Sequence, residues 1–168
     1  MNITVNYAIG IFRDRNFLDI AEDIVNWLKA RGYLHTDSKF CDPFMGNGLL
    51  VNLVNAMTGA YATGFEKDRG IFYEAVKTSK ELAESGVVNP KRVHLNNGDS
   101  TKAPLQLHDV FYIYPPWMDG VPDPELVKSV ISRMKADAIM VLTTGIDPKS
   151  IYHKSYPIEH LVEKIGAI

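Results

Sequence analysis

The sequence predicts an α/β protein built on a doubly wound, mostly parallel sheet, and three observations carry that prediction. Short apolar runs alternate repeatedly with amphipathic helical stretches. The connections between successive runs are too long for hairpins and long enough for crossover helices. Turn and capping residues stand where one pattern gives way to the next.

The elements follow in order. Ile3, Val5, Tyr7 and Ile9 alternate with polar neighbours, as in a short strand or extended arm. From Asn16 to Arg31, residues Phe17, Ile20, Ala21, Ile24, Val25 and Leu28 share one helical face, and Gly32 supplies the stop. Lys39 to Phe44 reads as a strand, and Leu49 to Met57 as a helix with Leu49, Leu50, Leu53, Val54 and Met57 inward. Ala60 to Phe65 is the next strand. Asp68 caps a helix from about Arg69 to Glu84, which Gly86 ends. Strands follow at Arg92 to Leu95 and Asp109 to Tyr114. Asp123-Pro124-Glu125 then opens a helix bearing Leu126, Val127, Val130, Ile131 and Met134, with Asp as cap and Pro in the first position. Ala138 to Thr143 is the last clear strand.

The pattern shows no internal repeat or linker, so residues 1–168 are expected to form one domain, with 1–32 as an N-terminal arm and helix. An apolar share of 46% against 23% charged residues suits a soluble domain with a real core. No apolar stretch approaches a membrane span, and Met1 to Gly10 lack the basic start and apolar block of a signal peptide. A cytoplasmic address with no membrane partner is the expectation. Cys41 is the sole cysteine, which excludes an internal disulfide and a cysteine-based zinc site. His35, His94, His108, His153 and His160 are scattered, so no metal is expected. The net charge is −2, with Lys and Arg evenly spread. Proteins that grip long nucleic acid unaided are commonly basic. This balance argues against such unaided gripping and leaves open a small substrate, a protein substrate, or RNA presented by a partner subunit.

In a doubly wound sheet, ligands bind beyond the carboxyl ends of the strands. Four such ends carry suggestive residues. The first is Asp42-Pro43-Phe44-Met45-Gly46-Asn47-Gly48, where two glycines between strand and helix permit a tight turn and a close ligand approach; a turn needs glycine for its own sake as well. The second end holds Glu66-Lys67-Asp68, with Glu66 at about the 20-residue spacing from which an acid reaches a ribose hydroxyl; a solvated loop carboxylate is the plain alternative. The third is Asn97-Gly98-Asp99-Ser100, where Asp99 has the chemistry to accept from an adenine amino group, though the tetrapeptide is also ordinary turn chemistry. The fourth is Tyr114-Pro115-Pro116-Trp117. Its prolines stop the ladder and stiffen the backbone, the Tyr114 and Pro115 carbonyls can converge on one spot, and the Trp117 ring offers a stacking face. A rigid strand exit with Trp117 filling the core is the alternative.

Taken together, Asp42-Pro43-Phe44-x-Gly46-x-Gly48, Glu66, Asp99 and Tyr114-Pro115-Pro116-Trp117 resemble the class I S-adenosylmethionine-dependent methyltransferases over about Lys39 to Gly145. Within that class the set is similar to the amino-methylating branch, whose fourth strand ends in Asn/Asp/Ser-Pro-Pro-aromatic, and Pro-Pro-Trp is similar to the trimethylguanosine synthases. The resemblance implies a Rossmann-like methyltransferase fold, S-adenosylmethionine as cofactor, and methylation of a nitrogen on a planar substrate such as a nucleobase in RNA or DNA. A protein side-chain nitrogen comes second. It implies a cofactor site formed by Asp42, Phe44, Gly46, Asn47, Gly48, Glu66, Lys67, Asp99 and Ser100, with Tyr114, Pro115, Pro116 and Trp117 facing the substrate. Asp42 and the Gly46–Gly48 backbone would hold the methionine end, Glu66 the ribose, Lys67 and Asp68 the flanks of the adenine, and Asp99 its amino group.

The sequence departs from the family in three places. Tyr114 stands where the branch has Asn, Asp or Ser, which removes the usual side-chain acceptor for the amine. The stretch after Gly145 is short for a last helix and two strands, so the sheet's end is expected to be shortened, replaced by the N-terminal strand, or completed by another subunit. No separate target-recognition domain is evident. Asn6 to Asn16, with Tyr7, Phe12, Arg13 and Arg15, is either a lid over the cofactor or a sheet edge and helix lead-in.

Rival chemistries fit less well. A nicotinamide-dependent dehydrogenase needs a third glycine where Val51 stands, and the P-loop pattern is absent. The rival from another class is a catalytically silent methyltransferase-like partner subunit.

Overall fold

The computed structural model describes residues 6–11, 17–113, 124–144 and 162–164. Strands β1 (Asn6–Ile11), β2 (Lys39–Asp42), β3 (Tyr61–Glu66), β4 (Val93–Asn97), β5 (Val110–Ile113), β6 (Ile139–Thr144) and β7 (Val162–Lys164) form one seven-stranded sheet. Their order is β4-β3-β2-β5-β6-β1-β7, and every pairing is parallel. Helices α1 (Phe17–Ala30), α2 (Leu49–Thr58), α3 (Arg69–Glu84) and α4 (Pro124–Ile131) supply the crossovers among the described residues, with short 3₁₀ turns at Ser100–Lys102 and Leu105–Leu107. The chain runs outward from β2 through β3 to β4, then returns to place β5 on the other side of β2. The switch point therefore lies between β2 and β5, where such sheets bind their ligands.

Strand period divides the core in two. On one face, Phe40, Ala62, Val110, Tyr112, Ile139 and Val141 pack under Ala21, Ile24, Val25 and Leu28 of α1, Leu50, Val51 and Val54 of α2, and Ala75 of α3. On the other, Cys41, Phe111, Ile113 and Met140 pack with Leu105, with Val130 of α4 and with Met134 just beyond it. All four residues of β5 are buried, which is why Val-Phe-Tyr-Ile reads as a continuous apolar run rather than an alternation.

Helix boundaries follow the signals in the sequence. The Asp68 carboxylate accepts from the Ile71 N–H at 2.9 Å and starts α3, and Gly86, at φ +73°, closes it. By contrast α4 ends at Ile131, before Met134. Arg133 and Met134 donate to Val130 and Ile131 in tightened three-residue steps rather than continuing the helix.

The described part of the N-terminal stretch departs from the sheet-edge role considered for it. Asn6–Ile11 is an internal strand, parallel to β6 on one side and to β7 on the other, with Tyr7 in register with Met140 and Val162. Asn6–Ile11 is therefore not a sheet edge: it extends the sheet beyond β6, and β7 lies outside it. Phe12, Arg13 and Arg15 lie outside the described residues.

Candidate functional site

A cavity of about 600 Å³ opens at the carboxyl ends of β2, β3 and β4. Its walls bring together six of the predicted residues: Phe44, Gly46, Glu66, Lys67, Asp99 and Ser100. Three strand exits that are far apart in sequence converge because β2, β3 and β4 are parallel neighbours, so their following loops emerge at one end.

The glycine loop is built from below. Asp42 ends β2, is 4 % exposed, and accepts from the Phe44 N–H at 3.0 Å, folding the chain over its own carboxylate. Burial pushes that carboxyl up to about 7; the Phe44 N–H opposes the shift, and the negative charge of Glu66 adds to it. The Met45 N–H donates to the Phe65 carbonyl at 3.0 Å, which fastens the loop to β3. Gly46 (φ +54°) and Gly48 (φ +74°) take left-handed backbone. A Cβ on Gly46 would meet nothing within 4 Å and would project into open space, whereas one on Gly48 would lie 3.3 Å from the Ala75 Cβ. Thus Gly46 serves the cavity and Gly48 serves helix packing.

Glu66 sits where β3 ends. Its Oε1 accepts from the Asp68 N–H at 2.7 Å, which leaves Oε2 for a ligand. Its backbone carbonyl takes the Gly98 N–H at 3.0 Å and the Asn97 amide at 2.8 Å, tying the β3 and β4 exits together. Asp99 opens the 3₁₀ turn by accepting from the Thr101 N–H at 2.8 Å. Hydrogen bonds from the Thr101 hydroxyl and N–H, helped by Lys102 and Lys67, hold its carboxyl below the usual carboxylate range. It is an acceptor throughout the physiological range.

Three predicted residues do not line the cavity. Asp42 is buried beneath the loop. The Asn47 side chain turns back to accept from the Leu49 N–H at 3.1 Å at the start of α2. Gly48 is turned against Ala75. Tyr114, Pro115, Pro116 and Trp117 lie outside the described residues. Sequence reasoning missed Ile71, which lines the cavity 44% exposed, and Leu126, which α4 brings across from the far side of the sheet. Ile71 had a local signal, being an apolar residue in the first turn of a capped helix. Leu126 had none, since only the packing of α4 turns it inward.

Cys41 is fully buried and burial raises its thiol, so it is no nucleophile. Among the described residues no cluster of His, Cys, Asp and Glu is arranged to hold a metal ion, and no helix is long and apolar enough to cross a membrane. The cavity has apolar walls (Phe44, Phe65, Ile71, Leu126) and carboxylates at two corners.

No family model and no curated protein matches the sequence. Solved structures do match in shape. An RNA methyltransferase from Salinibacter ruber, in complex with S-adenosyl-L-homocysteine, is 21% identical at a TM-score of 0.50, over 67% of this chain and 68% of that one. The magnesium protoporphyrin IX methyltransferase of Synechocystis PCC 6803, with bound S-adenosyl-L-homocysteine, is 20% identical at 0.56, over 77% and 61%. TYW2 of P. horikoshii, in complex with MeSAdo, is 21% identical at 0.56, over 78% and 44%. At these identities the likeness is one of architecture: the chain has the Rossmann-like methyltransferase fold.

Proposed function

We propose that the chain is an S-adenosylmethionine-dependent methyltransferase acting on a nitrogen of a planar substrate, a nucleobase in RNA or DNA. The observation that carries this reading is the convergence on one cavity of Gly46, Glu66 and Asp99 from three successive strand exits. Its volume suits a nucleoside-sized ligand. The donor set fits as well. The space at Gly46 admits a ligand against the backbone, Glu66 keeps an oxygen for hydroxyl donors, and Asp99 stays an acceptor for an amino group. Phe44 and Ile71 supply apolar contact for a flat ring. Two structural neighbours that were crystallised with S-adenosyl-L-homocysteine share the fold, which supports the choice of cofactor.

S-adenosylmethionine, when bound, supplies a methyl group already activated on a sulfonium, so the protein's task is placement and exclusion of water. Glu66 accepts the ribose hydroxyls and Asp99 the adenine amino group. Asp42 acts from beneath, shaping the loop whose backbone holds the methionine end. By the resemblance, the Tyr114 and Pro115 carbonyls would accept from the N–H groups of the acceptor amine. Trp117 stacks on the base. A near-neutral charge balance fits RNA presented by a partner subunit better than unaided gripping of a long strand.

Calorimetric titration with S-adenosylmethionine and S-adenosylhomocysteine tests the cofactor site. Saturable binding, weakened by Glu66→Ala and less by Glu66→Gln, is expected, since glutamine keeps an acceptor for the Asp68 N–H. Methyl transfer to guanine- and adenine-containing RNA is then screened against protein substrates. Well-folded protein that binds neither ligand would overturn the enzyme reading in favour of a silent partner subunit, the reading that the Tyr114 replacement favours.

A further inference from the structure

Arg133 lies beyond the end of α4, in a stretch where no sequence signal marked a functional residue. Its guanidinium reaches three carbonyls. Nη1 donates to Ser100 at 2.8 Å and to Ala103 at 3.0 Å, and Nε donates to Ser129 at 3.0 Å. Nη2 is buried with no acceptor among the described residues. The first two carbonyls bracket the 3₁₀ turn that follows Asp99, and Asp99, Ser100 and Thr101 all line the cavity. The third belongs to α4, which contributes Leu126 to the opposite wall. One side chain therefore joins both walls.

We propose that Arg133 is a positioning residue that sets the nucleoside side of the cavity by fastening the Ser100–Ala103 turn to α4. The proposal rests on the cofactor reading above and adds a residue to it that touches no ligand. The geometry argues against a merely stabilising role. The turn is short, its bonds are local (within Asp99–Ala103, and from the Leu105 N–H to the Ala103 carbonyl), and the bridge from Arg133 Nη1 ties it at both ends to α4. Burying a guanidinium is costly unless its donors are used, and here one nitrogen spans two carbonyls while another anchors the helix. Lysine has the charge but not the planar fork, so it cannot hold Ser100, Ala103 and Ser129 at once.

The test uses the full chain with Arg133→Lys and Arg133→Gln. Met134→Ala serves as a control, because Met134 is the next residue along the chain, is buried in the core cluster with Val130 and Leu105, and has an apolar side chain that cannot donate to the turn. Thermal stability, S-adenosylhomocysteine affinity and amide hydrogen exchange are read for each. Arg133→Lys is expected to weaken binding by about tenfold, the equivalent of one charge-assisted hydrogen bond lost. Exchange should rise at Thr101 to Ala103, while the amides of Phe44 and Met45 stay as protected as before. Met134→Ala should lower the melting temperature at least as much yet leave affinity within about twofold. Equal affinity losses in the two variants at matched stability would make the effect global and overturn the proposal, as would unchanged exchange at Thr101 to Ala103. If the unaltered chain binds no S-adenosylhomocysteine, the cofactor reading fails, and exchange in Arg133→Lys alone decides whether the arginine orders the turn. Should Arg133→Gln fail to fold, Arg133→Lys still decides the question.

Discussion

Gly64 and Met45 meet so closely that no side chain fits between them: a Cβ on Gly64 would lie 2.3 Å from the Met45 Sδ and 2.9 Å from its Cβ, with a Val51 methyl also at 2.9 Å. Gly64 is in β3 and Met45 is in the loop after β2, so the bareness of one strand position lets the glycine loop lie flat on its neighbour. The Met45–Phe65 backbone bond depends on that approach.

Gly64→Ala is therefore expected to lift the loop. Overpacking of this kind costs about 1–3 kcal/mol, and the displaced loop should weaken ligand binding as well. Denaturant unfolding and S-adenosylhomocysteine titration check both. A variant as stable as the parent with unchanged affinity would mean that Met45 simply swings aside.

Asp42 makes stability depend on pH with an unusual sign. Its carboxyl is raised from an ordinary 3.8 to about 7 in the folded chain, first by burial and then by Glu66. Between those two values the folded state holds a proton that the unfolded state has released. Stability from this group is thus fully present below about pH 4 and is lost as pH rises through about 7. The full swing is of order 4 kcal/mol. Asp42→Asn, which cannot ionise, should flatten that part of the profile and be relatively more stable at pH 8 than at pH 5. Parallel profiles for the two proteins between pH 4.5 and 8 would show that Asp42 titrates normally.

Trp117 should separate turnover from cofactor affinity if its ring stacks on the acceptor. Stacking on a base is worth about 1–3 kcal/mol. Trp117→Ala should then lower kcat/KM by about ten- to hundredfold and barely change S-adenosylhomocysteine binding. Equal losses in both would assign the ring to the cofactor pocket or the core.

How much of this was legible beforehand depends on the range of the forces involved. Elements with local punctuation were plain: α3 between the Asp68 cap and Gly86, α2 after Gly48, and the apolar run of β5. The parallel sheet followed from the alternation, and with it the convergence of Gly46, Glu66 and Asp99. What the sequence hid was set by packing across the chain. Nothing near Gly64 announces that Met45 will rest on it. Nothing in the stretch from Ser132 to Lys135 announces a guanidinium that reaches back to Ser100. The partners of β1 were illegible for the same reason, since alternation at Ile3 to Ile9 describes a strand without naming its neighbours. For Asp42 and Asn47 the local bonds were the illegible part: an acid or amide beside a glycine turn can serve a ligand or the turn itself, and here both bond to nearby backbone N–H groups.

The two glycines of the loop should separate binding from folding. Both have positive φ, so alanine at either costs about 1 kcal/mol of backbone strain. At Gly48 the added methyl also presses on Ala75 at 3.3 Å, and the loss should appear mainly as a lower melting temperature. At Gly46 it meets no protein atom within 4 Å and enters the cavity instead. Gly46→Ala should therefore lose only that backbone strain in stability, less than Gly48→Ala, while losing affinity for S-adenosylhomocysteine by tenfold or more, about the effect of one misplaced contact. Melting curves and titration on the same two proteins give the comparison. If Gly46→Ala binds as tightly as the parent, the ligand does not approach the backbone there, and the cofactor's methionine end must be sought elsewhere along the strand ends.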